Sequence, residues 1–193
     1  VVWTVNAEDV VNLGEFLSTG IFSPLRTVAV SGNSVEQPKY FQTIIGSELE
    51  PILKKAGIRN NENRVINGNV LTGSISDLSD YLSYFNNLIT VIPEGNDYRM
   101  FGWLPFKDNN VMSLSNTSFS RIFNRKGFEV NTNLNGEERA LVVTGEMEKF
   151  FPFDIYPMQL LKACMVEDIE KMEALGIYEI VPEDFGLLDY ANT

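Results

Sequence analysis

Apolar residues along this chain alternate between two spacings, and each change of spacing marks an element. The run Val1-Val2-Trp3-Thr4-Val5 is nearly all apolar, which predicts a strand buried on both faces. Asn6 follows as a helix N-cap, with Glu8 and Asp9 in the first turn, where acidic side chains favour the helix dipole. Val10, Leu13, Phe16 and Leu17 then recur at helical spacing, and Gly20 can close the helix. With the strand Arg26–Ser31 after it, this order predicts the last unit of an α/β domain whose bulk lies upstream. A start at Val1 rather than Met fits a piece cut from a longer protein.

From Arg26 onward the pattern describes a second body. Ser31-Gly32-Asn33 ends the first strand, and Tyr40–Ile45 is a second one, rich in β-branched and aromatic residues. Ser47-Glu48-Leu49-Glu50 has the spacing of a capping box, with Leu49, Ile52, Leu53 and Ala56 on one helical face and Gly57 as the stop. Arg64-Val65-Ile66 and Asn87–Ile92 predict two further strands. Strand, strand, helix, strand, strand is the order of a small β-grasp domain, shared with several other topologies. After Pro93 the signal weakens. Phe101-Gly102-Trp103-Leu104 and Ala140–Val143 read as short strands, and Asp108-Asn109-Asn110 as a turn. The tail reads as helical: a segment capped by Asp154 and holding Met158, Leu160, Leu161 and Cys164, a helix over Glu167–Leu175 ended by Gly176, and a short helix opened by Pro182.

Charge changes this picture in one respect. The net charge is −11, and residues 137–193, with 13 acidic and 4 basic side chains, hold −9 of it. An acidic surface repels phosphate backbones and anionic lipid, which argues against nucleic acid or direct membrane adsorption. The acidic tail is either a solvated face that keeps the chain soluble or a docking surface for a basic neighbour. No apolar stretch approaches the length of a membrane helix, and no secretion signal is visible.

The chemistry available is narrow. Histidine is absent and Cys164 is the single cysteine, so no Ser-His or Cys-His pair, internal disulfide, zinc site or iron–sulfur site can be assembled from the usual ligands. That argues against a free-standing hydrolase or transferase. Gly68 and Gly73 with Asn67 and Asn69 form no phosphate-loop pattern and are expected to serve bulges or positive φ angles. The pairs Glu8/Asp9, Glu137/Glu138, Glu167/Asp168 and Glu183/Asp184 are adjacent in sequence, and neighbours on a helix do not face each other. Cys164 reads as a small buried hydrophobe beside Leu160 and Leu161. Three aromatic clusters, Phe101 with Trp103, Phe119 with Phe123, and Phe150-Phe151-Pro152-Phe153, fit core packing, subunit contact or a pocket for a flat apolar ligand such as a quinone headgroup.

Taken in order, several stretches resemble the A subunit of the sodium-translocating NADH:quinone oxidoreductase. They are Val2-Trp3-Thr4-Val5-Asn6, Arg26-Thr27-Val28-Ala29-Val30-Ser31-Gly32, Asn63-Arg64-Val65-Ile66-Asn67-Gly68, Val91-Ile92-Pro93-Glu94-Gly95, Phe101-Gly102-Trp103 and Phe153-Asp154-Ile155-Tyr156-Pro157. The resemblance implies an α+β chain: the end of a Rossmann-like unit over 1–25, a β-grasp domain of the soluble-ligand-binding type over 26–100, a mixed β extension over 101–150 and a helical tail over 151–193.

The resemblance also implies membership of a membrane redox pump that exports sodium as NADH reduces quinone. NADH, FAD, FMN, iron–sulfur centres and quinone belong to the whole complex, and no cofactor to this region. Its expected place is the cytoplasmic face of the bacterial inner membrane, peripheral and held by the membrane-embedded subunits. The expected role is docking and scaffolding, with no catalytic residue carried over. The alternative is a quinone-binding module using Phe101 and Trp103. The relatives in respiratory complex I hold a cluster with cysteines in the helical end, where this chain has only Cys164.

Overall fold

A computed structural model describes residues 3–59, 62–96, 122, 127–134 and 140–191. It is a mixed α+β structure that divides into two compact units, Val1–Asn69 with Gly73–Pro93, and Val70–Thr72 with Glu94–Thr193.

In the first unit the period-two alternation of Leu25–Ser31 (β1) sends Arg26, Val28 and Val30 to one buried face. Lys39–Ile44 (β2) pairs antiparallel with β1, in the register Leu25↔Ile44 to Val30↔Lys39. Asn63–Asn67 (β3), Ser74–Ser76 (β4) and Leu88–Pro93 (β5) complete an open five-stranded sheet of order β2-β1-β5-β3-β4. The middle strand β5 lies parallel to β1 and antiparallel to β3. The helix Leu49–Ala56 (α2) buries Leu49, Ile52, Leu53 and Ala56 against Val28, Val30, Val65, Ile89 and Val91. This is the apolar face its sequence spacing predicts.

Several expectations need correction. The helix Ala7–Thr19 (α1) forms as predicted and ends at Gly20, whose φ of 71° lets its N–H reach Phe16 O. Trp3–Val5 before it are not a strand. Trp3 is 90% exposed, and among the described residues no neighbouring strand pairs with this run. An apolar sequence without a partner has nowhere to place its ladder hydrogen bonds. The capping box at Ser47 is also not made. The Ser47 hydroxyl instead accepts from Thr43, Glu50 pairs with Lys54, and the Leu49 N–H donates to Asp80 O, so a tertiary carbonyl replaces the local cap. β4 was not anticipated from sequence. Three residues are too short to carry a periodic signal, and Ser-Ile-Ser forms a strand only because β3 pairs with it.

The second unit is described through its helical part. Met147, Phe151, Met158 and Leu188 form its core, flanked by Leu141, Ile155, Ile180 and Phe185. Pro157–Met165 (α3) starts on its proline, with no side-chain cap from Asp154. Ile169–Ala174 (α4) follows, then 3-10 turns at Ile177–Glu179 and Pro182–Phe185 and the short helix Gly186–Ala191 (α5). Ala140–Val143 is not a strand: Leu141 packs into the core while Val142 and Val143 stay exposed. The predicted strand Phe101–Leu104 and the turn at Asp108-Asn109-Asn110 lie outside the described residues.

Candidate functional site

The strongest polar arrangement in the first unit centres on Arg26. The alternation of β1 places it on the buried face, where it is 2% exposed. Its Nη2 donates to Asp9 Oδ1 at 2.9 Å, and its Nε stands 3.9 Å from Glu8 Oε2. Glu8 Oε1 accepts the backbone N–H of Thr27 at 2.8 Å. The guanidinium carbon lies 5.5 Å from the centre of the Tyr84 ring. A buried charge is tolerated only when paired, and Arg26 meets two carboxylates and an aromatic face. The acid pair therefore does more than complement the α1 dipole: both members address one cation. Sequence reading missed this. The available signal was an arginine on the core face of an otherwise apolar strand.

The segment between β4 and β5 forms an anchored aromatic platform. Leu82 is buried and its N–H donates to Ser47 O. Asn67 Nδ2 donates to Tyr81 O at 3.0 Å, and Asn86 Nδ2 donates to Asn67 O at 2.8 Å and to Ser83 Oγ. Thr90 Oγ1 donates to Gly68 O at 2.7 Å. Held this way, Tyr81, Tyr84 and Phe85 remain more than half exposed, with the last two rings edge to face at 5.0 Å. Gly68 has the positive φ its residue type suggests, and a Cβ on Gly73 would fall 2.5 Å from Asn69 O and from Ile66 Cγ2. Both glycines serve turn geometry.

In the second unit the phenylalanine cluster splits. Phe151 is buried, with Phe185 and Phe153 ring centres at 5.0 and 5.7 Å, while Phe150 and Phe153 stay over two-fifths exposed. Cys164 is only half-buried, on the turn of α3 whose neighbours Leu160 and Ala163 are fully covered. Phe101 and Trp103, together with Phe119, Phe123 and the Glu137/Glu138 pair, lie outside the described residues. The helical tail mixes charge and apolar surface: Met165, Val166, Ile169 and Tyr178 are each at least 67% exposed, beside the exposed acids Glu167, Glu170, Glu173 and Glu179. Among the described residues no group of three metal-ligating side chains occurs, and no helix is long and apolar enough to cross a membrane.

Of the acid pairs, Glu167/Asp168 has the clearest local role. Asp168 Oδ1 caps α4 by accepting the Lys171 N–H at 3.2 Å, and Oδ2 meets Lys171 Nζ at 2.6 Å. The side-chain bond from Lys171, and then its backbone N–H, hold the Asp168 carboxyl below its ordinary value. A lowered folded pKa means that the stabilisation is complete above the unfolded value of 3.8 and is lost as pH falls through the folded value. Asp168→Ala is thus expected to fray α4 at neutral pH, seen as faster amide exchange at Lys171 to Ala174, and to abolish the acid-induced fraying of the natural chain.

Comparison with known proteins gives a consistent neighbourhood. The NQRA C-terminal domain family matches residues 27–77, which run from β1 through β4. Over 191 residues the chain is 36% identical to the A subunit of the Na(+)-translocating NADH-quinone reductase of Neisseria meningitidis serogroup B. The corresponding proteins of Photorhabdus laumondii and Haemophilus influenzae are 34% and 36% identical over 190 residues. In each case 98% of this chain is aligned, and it spans 42% of the relative's length.

Proposed function

Because this chain is a relative, along 98% of its length, of the A subunit of the Na(+)-translocating NADH-quinone reductase, we propose that it works in such a reductase as a contact module. It takes part in coupling NADH oxidation by quinone to sodium export without carrying a redox cofactor itself. NADH, FAD, FMN, the iron–sulfur centres and quinone would then be handled elsewhere in the complex. The absence of histidine and the single, half-buried cysteine support this division of labour, since the side chains that usually ligate metals and clusters are missing.

The observation that carries the contact reading is the tail, where Met165, Val166, Ile169 and Tyr178 stand exposed among acids. Apolar surface within a mainly acidic rim is the composition of a protein-binding face. The partner is a basic surface on the membrane-embedded subunits at the cytoplasmic face of the inner membrane. The β2-β1-β5-β3-β4 order, with its parallel central pair and α2 following the first hairpin, supports assigning the sheet unit to the β-grasp class. The exposed apolar stripe of α1 supports taking residues 1–25 as part of a Rossmann-like α/β unit that continues beyond them.

The test uses the assembled enzyme, with Val166→Asp and Ile169→Asp introduced into the full-length protein that carries this region. Both residues are exposed, so the fold should be retained. Recovery of the other subunits on the affinity-purified variant is expected to fall at least about tenfold. A complex that assembles and turns over normally with this region deleted would remove the proposal.

A further inference from the structure

The sequence pair Asn67-Gly68 carries a chemistry that the proposed function does not use. An asparagine followed by glycine is open to attack by its own backbone, because glycine has no Cβ to hold its nitrogen away from the side chain before it. The Gly68 nitrogen gives its proton to hydroxide and bonds to Asn67 Cγ. The Cγ–Nδ2 bond breaks, and Nδ2 takes a proton from water and leaves as ammonia. Water then opens the cyclic imide at one of its two carbonyls. The product is aspartate, or isoaspartate with the main chain running through Cβ and Cγ. We propose that Asn67-Gly68 is a fold-protected deamidation site, whose conversion releases residues 81–86 and cannot be undone by refolding.

The fold closes this route. Asn67 is 2% exposed at the end of β3, in register with Ser74 on one side and Ile89 on the other. The attacking nitrogen is engaged, because the Gly68 N–H donates to Leu88 O at 2.8 Å. The leaving group is engaged as well, through Nδ2 on Tyr81 O at 3.0 Å. The carbonyls of the pair accept from Asn86 Nδ2 and Thr90 Oγ1. Asn67 thus fastens both ends of residues 81–86, donating to Tyr81 and accepting from Asn86. Neither product can resume this place. An aspartate puts an oxygen against Tyr81 O where a donor stood, and Asn67 Oδ1 already lacks a hydrogen-bond partner among the described residues. A buried carboxylate with no donor is strongly unfavourable. An isoaspartate lengthens the backbone of β3 where Ser74 and Ile89 fix its register. A chain in which the end of β3 has stayed open is therefore marked once, and its 81–86 segment stays loose.

The test uses the full-length protein that carries this region, incubated at mildly alkaline pH with and without concentrated urea. Peptide mapping by mass spectrometry follows ammonia loss at Asn67. The folded protein should deamidate there at least about tenfold more slowly than the unfolded one. Equal rates would overturn the proposal. Release is read by chymotrypsin, which cuts after Tyr81, Tyr84 and Phe85. Asn67→Asp should be cut at these residues at least about tenfold faster than the natural protein; unchanged cleavage would also overturn the proposal. Asn86→Ala removes one of the two fastenings without adding charge, and should speed both deamidation at Asn67 and cleavage at least about threefold. If Asn67→Asp does not fold, Asn86→Ala decides alone, and an Asn86→Ala protein with both rates unchanged sinks the idea.

Discussion

Gly32→Ala is expected to cost the sheet unit more than about 4 kcal/mol and to leave it unfolded under conditions where the natural chain is folded. Gly32 has φ +121°, a backbone conformation that a side chain rarely adopts. That alone costs about 1–3 kcal/mol. A Cβ there would fall 2.0 Å from Val91 O and 2.7 Å from Val91 N and C. These are backbone atoms of β5, the middle strand of the sheet, so no side chain can swing aside. The turn cannot give way either: Val91 O accepts the Ser34 N–H at 3.2 Å, and Gly32 O accepts the Val35 N–H at 3.1 Å. Since whole domains hold only about 5–15 kcal/mol, the loss takes a large share of the margin. Urea unfolding followed by circular dichroism checks it; a midpoint shift worth less than about 1 kcal/mol would contradict the packing described.

Leu53→Ala should follow with a loss of about 2–5 kcal/mol, through a cavity rather than a clash. Leu53 is 1% exposed on the inner face of α2, within the cluster that joins that helix to Val28, Ile89 and Val91. The helix backbone loses nothing on the change to alanine, so the whole effect reports lost contact and unfilled space. Leu78→Ala gives the contrast: it is 49% exposed, and it should alter stability by no more than about 0.5 kcal/mol. Under the contact-module role proposed above, Leu53→Ala should lower the amount of assembled complex while leaving the turnover of each assembled complex unchanged, because the residue lies in the core of the sheet unit. A drop in turnover per complex would show that the sheet unit takes part in the chemistry.

The features legible in the sequence share one physical origin. α1, the inner face of α2 and the central strands are long enough for a period to repeat, and Gly20 and Gly57 stop both helices where a positive φ is needed. What escaped reading depends on partners distant in sequence. β4 exists because β3 lies beside it, and Ala140–Val143 has the composition of a strand without one. Ser47 has a capping residue's chemistry, but Asp80 O reaches the helix start first. Arg26 and Glu8/Asp9 each looked ordinary, a strand-opening basic residue and a helix-opening acid pair; only the fold shows that they meet. For the candidate site, the acidic tail could be read from composition. The apolar residues that stand among those acids could not, because their spacing resembles that of a core.

The central position of β5 has a consequence for synthesis. The family match ends at residue 77, yet the strand that joins β1 to β3 begins only at Leu88. While the ribosome has produced the matched stretch but not β5, the β1–β2 hairpin and the β3–β4 pair each present an open hydrogen-bonding edge. The five-stranded sheet can therefore be completed only once Leu88–Pro93 has been made, and any chain that stops short of β5 keeps both edges open.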